Sequence, residues 1–221
     1  MHPADVAAPL FRNLPWLQQR LTRIAGACFS VARGGLQETT SGDATVNAAD
    51  AVGLRQRLRS GAFVVTAEVV PPVSCEARDL IGKIEPLRGV ADAVNLTDGA
   101  GARSHMASLA AAALAVQSGV EPILQPTCRD RNRIALQSDL LAAAAMGIEN
   151  LLLLRGDDPS AGDQPDAKPV FDVDASVLTQ IAVGIRDRRE LMSGRLRAGP
   201  IFSSAWPTAR STRRLAGRPA A

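Results

Sequence analysis

From residue 51 onward the apolar positions of this 221-residue chain switch repeatedly between two spacings. Val52 to Arg59 predicts a short amphipathic helix closed by Ser60-Gly61. Ala62 to Val70 is rich in β-branched residues and predicts a strand, halted by Pro71-Pro72. Glu76 to Leu87 then reads as a helix, Ala91 to Leu96 as a strand, and Arg103 to Ser118 as an Ala-rich helix stopped by Gly119. Glu121 to Gln125 follows as a strand. In the next helix, Arg131 to Met146, Ile134, Leu136, Leu140, Leu141, Ala144 and Ala145 recur mostly at three- and four-residue steps, with Gly147 as its stop. Leu151 to Leu154 is a continuous apolar run, the pattern of a strand buried on both faces. A polar loop from Asp157 to Pro169 precedes a last helix from about Ala175 to Arg188.

Strands and helices in alternation with short connections predict a parallel α/β fold, either a doubly wound sheet or a barrel. A barrel is favoured because polar residues recur at the strand ends: Glu68, Thr97 and Asp98, Gln125 and Thr127, Arg155 and Asp157. In a barrel these converge on one mouth. No GxGxxG or GxxxxGK[ST] stretch is present, so the usual nucleotide-binding fingerprints are missing.

Composition narrows the chemistry. Two histidines, His2 and His105, leave little material for a zinc site or a Ser-His-Asp triad. Three dispersed cysteines, 28, 75 and 128, make no disulfide framework and suit a reducing, cytoplasmic setting. No apolar run reaches the roughly twenty residues that span a bilayer. Residues 1–48 read as an extension, poorly structured or an amphipathic helix, with Leu10, Leu14, Leu17, Leu21 and Ile24 on one face and an acid-poor, Arg-bearing remainder. After Glu190 there is no acidic residue but six arginines, read as a solvated tail and not as a nucleic-acid contact.

Glu68 is the sharpest anomaly, a carboxylate inside an apolar strand. Such a group is expensive without partners or water, and one held protonated is a usable general acid. The pattern leaves open an edge strand with Glu68 in solvent. Asp157, beyond a strand-end glycine, is either a ligand-facing carboxylate or a turn cap. Cys128 reads as a buried structural thiol despite Arg129 and Arg131 nearby, and His105 as a solvated or capping side chain.

Several stretches resemble one family. VVTAEVVPP (64–72), AVNLTDGAGARSHM (93–106), TCRDRNRIALQSDLLAAAAMGIEN (127–150), LLLLRGDDP (151–159) and GDQPDAKPVFDVDASVL (162–178) are similar to methylenetetrahydrofolate reductases, in their order and spacing. The resemblance implies a parallel (βα)8 TIM-type barrel, here its first four to five βα units over residues 49–195. It implies FAD at the strand ends and reduction of 5,10-methylenetetrahydrofolate to 5-methyltetrahydrofolate, with NADH or NADPH reducing the flavin first. By position, Glu68 is the acid that protonates the folate substrate and Asp157 lies near flavin and pterin. Thr97, Arg155 and Gly156 line the FAD, and Gln125 stands where the family has a flavin-contacting His. That change keeps hydrogen bonding but not ionisation.

The match fades after Ser193-Gly194-Arg195, and from Gly61 only 161 residues remain where a full barrel takes roughly 200 to 250. Residues 196–221 are expected to be an aberrant Arg-rich tail. A one-base shift in the codons around Pro200-Ile201-Phe202 permits the family's next strand, which points to a frameshift or truncation. A partial barrel is expected to need a second copy or partner chain over its open edge. Three functions follow: a flavin-dependent reductase, a folate- or methyl-carrier-binding module, and a non-catalytic remnant.

Overall fold

The computed structural model describes residues 28–32 and 53–197; of residues 28–32 only the backbone pairing is described. The helical pattern expected over residues 10–24, and the tail beyond Arg197, lie outside the described residues.

Five strands form one sheet in the order β1-β2-β3-β4-β5: β1 Cys28–Ala32, β2 Val64–Val69, β3 Ala93–Leu96, β4 Pro122–Leu124 and β5 Asn150–Leu151. Strands β2 to β5 are parallel in chain order, and a further parallel bridge joins Thr127 to Leu154. Strand β1 runs antiparallel on the free edge of β2, with Cys28 opposite Glu68. The sequence pattern predicts no strand there. The helices are α1 Leu54–Ser60, α2 Ala77–Ile84, α3 Ser108–Gln117, α4 Arg133–Ala145 and α5 Ala175–Val183, and a short hairpin follows, β6 Glu190–Leu191 with β7 Gly194–Arg195. Four parallel strands alternating with helices are the arrangement of an opening half of a (βα)8 barrel.

Alternation along each strand separates two faces. Ala67, Val69, Val94, Leu96, Leu124 and Leu151 point to the helices and share one core with Leu80, Ile84, Leu136, Leu140 and Leu178. Each fully buried Leu or Ile there contributes about 1.5–3 kcal/mol. On the opposite face an apolar cluster sits at the strand beginnings. There Val64 and Ala93 pack with Leu54, and Leu58 and Ile123 complete the cluster. Helix α1 is held across that end because Glu121, just before β4, accepts from the Leu54 backbone N–H through both carboxylate oxygens at 3.0 and 2.9 Å. Arg57 reaches Asp92 at 3.3 Å. Further along the strands the same face turns polar, with Glu68, Asn95, Thr97 and Gln125.

Local chemistry sets the helix ends. Gly61 at φ 75° closes α1, and the Asn132 side chain caps α4 by accepting from the N–H groups of Ile134 and Ala135. Three expectations are corrected. Helix α3 starts at Ser108, not Arg103, because Gly99, Gly101 and Ala102 all take positive φ and the segment is used as a loop. The Met106 N–H donates to the Pro72 carbonyl, which anchors it. The helix expected to run to Leu87 tightens into a 3-10 turn at Glu85–Leu87, where Pro86 withdraws a backbone donor. Leu151–Leu154 is not buried on both faces: Leu152 and Leu153 are half-buried and Leu154 is exposed, since among the described residues no further strand pairs with β5.

Candidate functional site

The strand ends and the loops after them gather most of the polar residues singled out from the sequence. Glu68 and Asn95 are register partners on neighbouring strands, and the Asn95 Nδ2–H donates to Glu68 Oε2 at 3.2 Å. Glu68 is half-buried, so neither a fully buried acid nor a solvated edge residue describes it. Asn95 is only 6% exposed, and its Oδ1 is buried without a partner among the described residues. One layer higher, Thr97 is buried and its Oγ1 also has no partner among the described residues. Gln125 is buried at the end of β4.

Beyond β5 the backbone turns at Gly156, whose φ of 91° favours glycine. A Cβ at this position would stand 3.0 Å from both Thr127 Cβ and Arg129 Cβ. Gly156→Ala is therefore expected to destabilise the fold by about 1–3 kcal/mol, read as a lowered urea midpoint. On either side of this glycine, Arg155 lies over the Phe171 ring at 4.0 Å, and Asp157 Oδ2 accepts from the Gly101 N–H at 2.9 Å. The loop after β3 is thus tied to the loop after β5. Gln164 Nε2 donates to Ser104 Oγ at 2.8 Å, and Gly162 lies so close to Ala102 that a side chain would strike its carbonyl.

Three strand spacings separate Glu68 on β2 from the Arg155–Asp157 corner after β5, on the order of 14 Å along the sheet. The register brings Glu68, Thr97 and Gln125 onto one face. The corner is tied to them through the loop after β3 and through Thr127.

A second network was not legible as such from the sequence. Asp98, buried at the end of β3, accepts from the Thr127 N–H at 3.0 Å, the Thr127 hydroxyl at 2.9 Å and Arg131 Nη1 at 2.6 Å. Burial pushes the Asp98 carboxyl up, but Arg131 and Thr127 together outweigh it and hold the group below the ordinary carboxylate range. Arg131 also meets Asp139 at 2.9 Å. Burial raises the Asp139 carboxyl, opposed by Arg131 and helped by the nearby Asp98 charge. Arg129 is buried, donating to the Gly99 carbonyl at 3.0 Å and pairing with Asp130. The run Arg129-Asp130-Arg131 is therefore a brace between strand ends. Its alternating charges were the available signal.

Cys128 is fully buried, and burial raises its thiol, with the Asp174 charge adding to the effect against a smaller lowering by Arg155. This fits an inert structural cysteine. His105 is neither solvated nor a cap. Both ring nitrogens are buried without a partner among the described residues, and Ala107 stands at the N-cap of α3. No group of three or more His, Cys, Asp or Glu side chains suited to a metal occurs among the described residues. None of the described helices is long and apolar enough to cross a membrane.

A family model described as methylenetetrahydrofolate reductase matches residues 53–187, more than half of the chain and all four parallel strands. A comparison with curated proteins finds no match.

Proposed function

The chain belongs to the methylenetetrahydrofolate reductase family, whose domain is a TIM barrel and whose general activity is the reduction of folate one-carbon units, and from that premise we propose that it reduces 5,10-methylenetetrahydrofolate to 5-methyltetrahydrofolate with FAD and either NADH or NADPH. The observation that carries this reading is the Glu68 carboxyl, set in an apolar strand yet turned to the polar face and met by the Asn95 amide.

The residues suit a flavin. Thr97 Oγ1 is a buried hydroxyl without a partner among the described residues, a group left for a ligand to meet. Thr97, Gln125, Arg155, Gly156 and Asp157 would hold it. A flavin held there would supply hydride transfer between the nicotinamide and the folate. The protein's part is acid catalysis and placement. Glu68 donates a proton to the folate nitrogen whose bond to the methylene bridge breaks, leaving an iminium at the other nitrogen to receive the hydride. Asp157, fixed by the Gly101 N–H, presents a charge that tunes the electronics of flavin and pterin. Arg155, held over the Phe171 ring, is pre-ordered for a planar or anionic ligand.

A binding module for folate or a methyl carrier is the second reading, favoured by the single observation that β5 has no further partner strand among the described residues. Visible absorption of the purified full chain separates the two. An oxidised-flavin spectrum is expected; a colourless protein that retains folate in equilibrium dialysis supports the binding module, and a chain that holds neither contradicts both.

A further inference from the structure

Asn95 has no assigned role, and its surroundings are unusual for an asparagine. It is 6% exposed, in the middle of a four-residue strand whose other residues are also buried. Burying an amide this deeply is costly unless its hydrogen bonds are made. Among the described residues one is found, Nδ2–H to Glu68 Oε2 at 3.2 Å, while Oδ1 is buried without a partner there. The parallel register fixes the pairing, since Glu68 and Asn95 are Cα partners and point to the same face.

We infer that Asn95 is the positioning residue of Glu68, serving it in both protonation states; this rests on Glu68 acting as the acid. An amide carries a donor and an acceptor on one planar group. As carboxylate, Glu68 accepts from Nδ2–H, the bond observed. As carboxylic acid it carries an O–H that needs an acceptor, and Oδ1 becomes that acceptor by a half-turn of the amide. The proton thus waits at a fixed place and direction, and after its transfer to folate the same amide turns its donor to the new carboxylate. Neither Leu nor Asp substitutes for this. Leu fills the volume without hydrogen bonds, and Asp offers no donor when ionised.

The test is a double-mutant cycle on the two half-reactions of the full chain loaded with flavin. Asn95→Leu is expected to lower the rate of folate reduction at saturating folate by about tenfold or more, the size of one hydrogen bond to a charged group. Flavin reduction by nicotinamide and the folate KM are expected to stay within about twofold of wild type. Adding Asn95→Leu to Glu68→Gln is expected to cost nothing further, because the residue acts through Glu68. Asn95→Ser keeps a donor and an acceptor on a smaller side chain, and is expected to recover part of the rate. Full folate reduction in Asn95→Leu, equal losses in both half-reactions, or an undiminished loss in the Glu68→Gln background overturns the inference while leaving Glu68 as the acid. Full folate reduction in Glu68→Gln alone overturns the acid itself, and the inference with it. A readout independent of activity is hydrogen exchange in the flavin-free chain. The Asn95 side-chain amide protons, labelled with 15N, are expected to exchange slowly and to lose that protection in Glu68→Ala; fast exchange in the wild type overturns the pairing.

Discussion

Glu68→Gln is expected to reduce the rate of folate reduction by about 10²–10⁴-fold, while leaving reduction of the flavin by nicotinamide within about twofold of wild type. Glutamine keeps the side-chain shape and a donor for folate, so binding survives. It has no proton to give, so opening of the methylene bridge loses its acid. The split between half-reactions is the informative part. A folding defect or a lost flavin contact lowers both, whereas a missing acid lowers only the one in which a proton is delivered. Rapid-mixing spectroscopy of each half-reaction checks it, and a variant that loses both contradicts the acid role.

The second large effect concerns stability. Asp98→Ala is expected to cost about 3 kcal/mol at neutral pH, because it strands the two buried Thr127 donors and removes one carboxylate partner of a half-buried Arg131. The pH dependence has a definite sign. The Asp98 carboxyl is depressed in the folded chain, so the unfolded chain binds the proton first on acidification. Its contribution is present above the ordinary aspartate value of about 3.9 and is lost as pH falls through the lower folded value. Asp139, which burial raises, runs the other way, its contribution declining as pH rises through its folded value. The gap between wild type and Asp98→Ala is therefore expected to be widest near neutrality and to narrow below about pH 4. Urea unfolding across that range measures it, and a gap independent of pH contradicts the network.

Much of the fold could be read from periodicity, because most of the helices and the first parallel strands obey their own spacing over a full segment. The β-branched content of Ala62–Val70 marked β2, and Gly147 marked the end of α4, whereas the Asn132 cap, one residue inside the helix expected from Arg131, emerges only in the fold. The misses fall where tertiary contacts overrule local pattern. The stretch Arg103–Ala107 has helical composition but is held as a loop by the Pro72 carbonyl and by Gln164 on Ser104. Leu152 to Leu154 look like a central strand but stand at the sheet's outer side. Strand β1 escaped because five residues, CFSVA, carry too short a pattern to outweigh the polar sequence after them.

The site divides the same way. Glu68 was visible as a charge out of place, and the strand-end glycine marked the Arg155–Asp157 corner. Asn95 was not visible, since a lone Asn in an apolar strand acquires meaning only when the parallel register sets it beside Glu68. Nor was the tie from Asp98 to Arg131, 33 residues apart, because nothing in local spacing joins a strand end to the loop after the next strand.

The most direct test is to mix the flavin-reduced full chain anaerobically with 5,10-methylenetetrahydrofolate and follow the flavin spectrum and the folate product together. The account predicts re-oxidation of the flavin with formation of one 5-methyltetrahydrofolate per flavin. Folate that binds while the flavin stays reduced would contradict it.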